Sequence, residues 1–111
     1  MLFRSLGIGG GPEGVLAAAA LDAFNCGFQG RFLFDTDKDK YRAKKMGIND
    51  LTKKYELNEI VSGDSIFCAT GVTSGDLASG VKDLGNEFEV NTFALHKSQN
   101  SINSVKNIYN K

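Results

Sequence analysis

The sequence predicts an α/β fold, a layered mixed sheet with helices packed on it and a C-terminal antiparallel hairpin, and three observations predict it. A glycine turn at residues 9–11 joins a short apolar stretch to an alanine-rich one, the pattern of a strand running into a helix. The same order of strand, small-residue turn and helix recurs over residues 65–81. The tail, residues 87–109, then alternates apolar with polar residues on either side of the turn-rich Ser98, Gln99, Asn100 and Ser101.

Taken in order, residues 2–8 open the chain as a short apolar strand, of the kind that has neighbours on both sides in an α/β sheet. Pro12 suits the first helical position, because its φ is already helical and its missing N–H would have had no partner there, so the first helix starts at about residue 12. The run Leu16, Ala17, Ala18, Ala19, Ala20, Leu21 is apolar most of the way round, which fits a helix packed on more than one side. Asn25, Cys26 and Gly27 stop it, with Gly27 as the left-handed cap. Arg31, Phe32, Leu33 and Phe34 form a second strand that ends at Asp35. The charge-dense residues 35–46 form an exposed helix capped by Thr36 or Asp37, with Tyr41, Ala43 and Met46 as its sparse apolar positions. Residues 51–61 make a less regular link anchored by Tyr55, Leu57 and Ile60. Residues 65–71 form a third strand, after which Thr73 or Ser74 caps a short helix with Asp76 in its first turn. In the final hairpin Phe88, Val90, Phe93 and Leu95 alternate in part along the first strand, and Ile102, Val105 and Ile108 along the second.

A length of 111 residues makes residues 1–111 a single small domain with a modest core. Apolar content of 41% and charged content of 23% are those of a globular chain and not of a disordered tail. Thirteen basic and thirteen acidic residues cancel, which leaves no global field to attract nucleic acid or an anionic membrane, so neither is expected as a partner. Met1, Leu2, Phe3, Arg4 and Ser5 are too short an apolar run for a leader or a membrane span, so a cytoplasmic location is expected. Cys26 and Cys68 show no C-x-x-C spacing and His96 is the single histidine, so neither a zinc site nor a Cys–His nucleophile is indicated. Both cysteines are expected to be small buried apolar residues.

The glycine turn carries the chemistry. Gly9, Gly10 and Gly11 leave the backbone bare ahead of a helix N-terminus, where exposed N–H groups and the positive end of the helix dipole favour an anion. Glu13 in the same first turn is favoured by about 0.3–1 kcal/mol, and a carboxylate beside an anion site implies a cation between the two. Such a cation would be magnesium or manganese, which carboxylates and substrate phosphate oxygens hold together. A competing reading is open. Gly9-x-Gly11-x-x-Gly14 satisfies the dinucleotide fingerprint, with Asp35 about 21 residues later as the ribose-binding acid, although Pro12 and Glu13 occupy the positions that face the pyrophosphate. Asp35, Asp37 and Asp39 have the spacing of a calcium loop, but Lys40 stands where its glycine belongs and Met46 where its bidentate Glu belongs. Asp64 and Asp76 read as turn and cap residues.

Four ordered motifs then match one family. Residues 7–21 with Gly-Gly-Gly-Pro-Glu-Gly, Gln29-Gly30-Arg31, residues 42–48, and Ala69-Thr70-Gly71-Val72-Thr73-Ser74-Gly75-Asp76-Leu77 together resemble the C-terminal part of class II fructose-1,6-bisphosphatases of the GlpX type, across nearly the whole chain. The resemblance implies a partial domain of a sugar-phosphatase-like fold, in the lithium-sensitive phosphatase superfamily. It implies a manganese- or magnesium-dependent phosphatase of gluconeogenesis and glycerol metabolism that removes the 1-phosphate of fructose 1,6-bisphosphate, with sedoheptulose bisphosphate as a further substrate in some members. On it, Glu13 is a metal ligand, the backbone at Gly9 and Gly10 is a substrate contact, and this segment holds no catalytic residue of its own. Gly11 stands where the family has alanine, Ser74-Gly75-Asp76 replaces Asp-Gly-Asp, and the final hairpin carries His96-Lys97 and an Asn-rich second strand where basic residues are usual. The expected partners are a sugar bisphosphate in the complete enzyme and either further copies of the chain or a missing N-terminal partner, without which it should be inactive. Two alternatives stand beside this: a non-enzymatic binding or assembly module that uses the first strand and the Ala-rich helix as its interface, and a nucleotide-binding half-domain.

Overall fold

The computed structural model describes residues 6–111. The first helix, α1 (Gly11–Ala23), begins one position earlier than expected, with Gly10 as an extended N-cap at φ −68° and ψ 157° and Pro12 inside the first turn. Its other end is a Schellman turn: the Cys26 N–H donates to Leu21 O at 2.8 Å and the Asn25 N–H to Asp22 O at 3.0 Å. The left-handed residue is therefore Asn25, at φ 59°, and not Gly27. A short polar side chain tolerates that conformation best after glycine.

No strand forms at residues 6–8, which have no ladder partner, and the rest of the expected opening strand lies outside the described residues. The second strand is also displaced. It is β1 (Gln29–Arg31), three residues long, and Phe32, Leu33 and Phe34 have already left the ladder. β1 is met by β2 (Lys54–Glu56) in an antiparallel pair that sets Gly30 opposite Tyr55. Among the described residues both sheets are antiparallel, so the expected mixed sheet is corrected there: with residues 6–8 outside any ladder, β1 pairs with a later strand.

Between these strands lies α2 (Asp37–Lys45), the expected exposed helix. Thr36 caps it, its hydroxyl accepting from the Asp39 N–H at 3.2 Å, and Gly47 ends it at φ 94°. Residues 51–61 resolve into β2 and a one-turn helix, α3 (Leu57–Ile60), with Tyr55, Leu57 and Ile60 half-buried as anchors.

Among the described residues the larger sheet has four strands: β3 (Ile66–Thr70), β4 (Lys82–Asp83), β5 (Glu87–His96) and β6 (Ser101–Asn110). β3 and β4 pair with successive parts of β5, while β6 pairs with β5 along its whole length, from Glu87 opposite Asn110 to His96 opposite Ser101. This is the expected C-terminal hairpin. The register puts Phe67 opposite Leu95 and Ala69 opposite Phe93, on the face that α1 covers. There Phe24 stacks on Phe93 with ring centroids 6.3 Å apart, and Leu95 is 1% exposed.

The helix expected after Thr73 does not form. The Ser74 hydroxyl accepts from the Gly80 N–H at 2.9 Å instead of capping a first turn. The Gly75 N–H donates forward to Ala78 O at 3.1 Å, the reverse of the helical direction. A further bond from the Val81 N–H to Val72 O at 3.0 Å closes these residues into a loop.

Burial is sparse. Among the described residues the buried apolar side chains are Ala18, Ala43 and Leu95. The radius of gyration is 18.0 Å, against about 13 Å for a compact domain of this length. Both cysteines are exposed, which corrects the expectation of burial: Cys68 alternates onto the sheet face opposite α1, and Cys26 follows the end of that helix.

Candidate functional site

The glycine turn presents its chemistry to open solvent. The helical ladder of α1 starts with the Gly14 N–H donating to Gly10 O at 3.0 Å, and no side chain caps the turn. Pro12 contributes no N–H, which leaves the amides of Gly11 and Glu13 as the donors ahead of the ladder. Glu13 is exposed, and its carboxylate folds back over Gly10 so closely that a Cβ at Gly10 would collide with a carboxylate oxygen. Around Gly9 and Gly11 a Cβ would meet nothing. Glu13 and Gly10 are thus brought together, while Gly9 stands open beside them. Leu6 and Ile8, just before the turn, are 89% and 88% exposed.

The dinucleotide reading loses its frame here. It needs parallel strands on either side of α1, but β1 is paired antiparallel and Asp35 sits four residues beyond its end, outside any ladder. Asp64 and Asp76 also lie apart: one precedes β3 and the other follows it. Asp76 is exposed on the loop after β3, beside an open cavity of about 390 Å³ that also touches Thr70, Thr73 and Leu77. In that loop Gly71 and Gly80 are required to be bare, since a Cβ on Gly80 would lie 2.6 Å from Ser74 N and one on Gly71 would run into Ser79 O.

Asp64 does far more than turn the chain. Its Oδ1 accepts from the backbone N–H groups of Ser65 and Ser98, both at 2.9 Å, and its Oδ2 accepts from the Ser98 hydroxyl at 2.7 Å and lies 2.9 Å from His96 Nε2. The Ser98 hydroxyl donation and the His96 bond hold the Asp64 carboxyl at about 2, and the Asp64 bond raises His96 above its ordinary value. Beside them Lys97 reaches Gly63 O at 3.0 Å and Asp22 Oδ2 at 2.6 Å, which ties the hairpin turn to α1. Asp, His and Ser together invite comparison with a hydrolytic triad, but the wiring is wrong. A triad histidine uses one nitrogen for the acid and the other for the nucleophile. Here a single nitrogen, Nε2, faces both Asp64 and Ser98, and the serine proton is committed to the aspartate. The cluster is a clasp. Sequence reasoning misses it because Asp64 and His96 are far apart along the chain; the signal lies in the hairpin, since a strand from Ile66 that pairs antiparallel to His96 brings Asp64 to the turn.

Among the described residues no three His, Cys, Asp or Glu side chains come together as a metal site. The model of the family described as "Bacterial fructose-1,6-bisphosphatase, glpX-encoded" matches residues 4–109. Curated relatives carry the name D-fructose 1,6-bisphosphatase class 2/sedoheptulose 1,7-bisphosphatase. One, from Synechococcus sp. (strain JA-3-3Ab), is 34% identical over 96% of this chain and 34% of its own length. Another, from Trichormus variabilis, is 40% identical over 69% of this chain and 26% of its own, and one from Prochlorococcus marinus (strain MIT 9515) is 42% identical over 69% and 27%. The chain thus spans about a third of the length of the curated relatives it matches. With a family model that covers the glycine turn, the loop after β3 and the hairpin alike, the chain belongs to the glpX-encoded bacterial fructose-1,6-bisphosphatase family.

Proposed function

We propose that this chain is the C-terminal segment of a metal-dependent sugar bisphosphatase, one domain-sized part of a sugar-phosphatase-like fold, and that it is inactive alone. Glu13 is one ligand of a magnesium or manganese ion, and the backbone at Gly9 and Gly10 contacts a fructose or sedoheptulose bisphosphate. The observation that carries this reading is the Glu13 carboxylate folded over bare Gly10 at a helix N-terminus, inside the region the family model matches. The donor set fits only in part: a two-metal phosphatase needs several acids around a shared water, and the described residues bring one to this turn. The remaining ligands therefore come from another polypeptide segment. When bound, the divalent ion neutralises charge on the phosphoryl oxygens as water displaces the sugar oxygen from phosphorus. This chain's share is to place one carboxylate and to offer the Gly11 and Glu13 amides to an anion.

The test mixes the purified chain with a separately expressed N-terminal piece of a family relative, with manganese or magnesium and fructose 1,6-bisphosphate. Phosphate release is expected from the mixture and from neither piece alone, and it should vanish with Glu13→Ala. Release by the chain alone, sensitive to that substitution, would overturn the incomplete-site reading. Silence from a mixture of two folded pieces would favour the second reading, a non-enzymatic assembly module, which draws support from half-exposed Val15 and Leu16 on α1 and the open apolar side chains beside it.

A further inference from the structure

Among the described residues the outer edge of β6 is a long strand edge without a partner. β6 runs for ten residues, pairs on one side with β5, and among the described residues meets no strand on the other. A free edge is a row of unpaired N–H and C=O groups, and such edges are ordinarily guarded by proline, bulges, inward-pointing charge or a covering loop. β6 has no proline, pairs with β5 residue for residue without a bulge, and carries one charge, Lys106. That one guard is neutralised across its own sheet, with Nζ 3.4 Å from Glu89 Oε1, while Lys82 binds Glu89 Oε2 at 3.3 Å. The edge is therefore left open to another strand.

Its sequence specifies which strand. Residues 102–108 read Ile, Asn, Ser, Val, Lys, Asn, Ile, a palindrome about Val105 broken only where Ser104 answers Lys106. A two-fold interface requires residue i to meet j and j to meet i, and an antiparallel pair of identical strands about one residue sets such partners face to face. Centred on Val105, two copies of β6 place Ile102 against Ile108, Asn103 against Asn107, Ser104 against Lys106 and Val105 against itself. Every opposed pair is apolar with apolar or polar with polar, and no like charges oppose. Because the partners lie an even number of residues apart, the face covered by α1 continues as the same face in the second copy. Ile102, Val105 and Ile108 are all half-exposed or more in the single chain, as edge residues awaiting a cross-strand partner would be.

We propose that β6 is a self-association edge: a second copy of this chain adds its own β6 antiparallel about a two-fold axis at Val105, doubling the four-stranded sheet. The inference stands on the strand and its sequence and is independent of the metal reading of Glu13. Sedimentation equilibrium of the 111-residue chain is expected to give a concentration-dependent dimer. Val105→Lys sets two ammonium groups face to face on the axis and is expected to weaken the dimer by about tenfold or more, each factor of ten being about 1.4 kcal/mol. Val105→Glu should do the same, while an equal mixture of the two variants should recover a heterodimer, because position 105 meets itself. Circular dichroism of each variant checks that the half-exposed site has tolerated the change. A chain monomeric at every concentration, variants that dimerise as the parent does, or a mixture that recovers nothing would each overturn the proposal. So would a monomer whose β6 amides gain exchange protection only when an N-terminal family fragment is added, since the edge would then belong to that partner.

Discussion

The hairpin sheet and the glycine turn are built on opposite terms. In the sheet, β5 is paired on both sides, Leu95 is sealed under α1, and the turn after β5 is clasped by Asp64, His96 and Ser98. At the glycine turn no ladder continues upstream among the described residues, no side chain caps the helix, and Glu13 with its glycines faces solvent. The packing of this chain is therefore concentrated away from the glycine turn. On the proposed function, a packed sheet that carries the glycine turn on an open end suits a segment whose site is completed by other groups, since those groups must be able to approach it.

The contrast can be broken most forcefully at Leu95. Leu95→Ala removes the one large side chain that is fully enclosed among the described residues and should cost about 2–5 kcal/mol, a large share of what so small a core can supply. Ile8→Ala, before the glycine turn and 88% exposed, should change stability by less than about 0.5 kcal/mol. Urea denaturation of both variants checks this. Equal losses would mean that the glycine-turn end is packed in solution and the contrast is false.

The clasp gives the sheet a pH signature. The Asp64 carboxyl is depressed to about 2, so its contribution is present above its ordinary value of about 3.9 and is lost as pH falls through the folded value. His96 is raised, so its contribution is full below about 6.5 and fades as pH rises through its folded value. The clasp is thus strongest between about pH 4 and 6.5, where aspartate and imidazolium coexist. Thermal unfolding across pH should show the parent losing stability on both sides of that window. Asp64→Ala should be less stable within it and flatter outside, and superimposable profiles would remove the clasp from the account.

What can be read in the sequence follows the range of the forces involved. The final hairpin, the α2 helix with its Thr36 cap, and the anchors Tyr55, Leu57 and Ile60 are written in local periodicity and short polar side chains, and each forms as expected. The order and spacing of the four motifs likewise point to the family whose model matches the chain. The failures are matters of which partner a group takes. A three-residue strand such as β1 has too little local preference to name its partner, and it pairs with β2. Ser74 has the neighbours of a helix cap, but its hydroxyl is taken by the Gly80 amide. Asn25 displaces Gly27 as the left-handed residue because the helix ends two residues sooner, a boundary decided by hydrogen-bond registry and not by residue type. At the site, the closeness of Glu13 and Gly10 follows from one turn of helix, whereas the Asp64 to His96 bond depends on a sheet register that no local pattern prints.

The effect on stability at Glu13 should also be small, and that is what makes it informative. Glu13→Ala removes a favourable charge from an exposed first turn, worth about 0.3–1 kcal/mol, so folding survives while activity in the reconstituted mixture falls to the level given without this chain. The neighbouring glycines then separate position from charge. Gly10 has φ −68° and ψ 157°, a conformation that alanine adopts freely, so Gly10→Ala brings no backbone strain. Its Cβ must nevertheless displace the Glu13 carboxylate from where it now lies, whereas Gly9→Ala places a methyl group in open space. If the carboxylate is needed in that place, Gly10→Ala should reduce phosphate release more than Gly9→Ala, with both variants as stable as the parent. The reverse order would mean that the turn works through its bare backbone at Gly9 and that the posture of Glu13 over Gly10 is incidental.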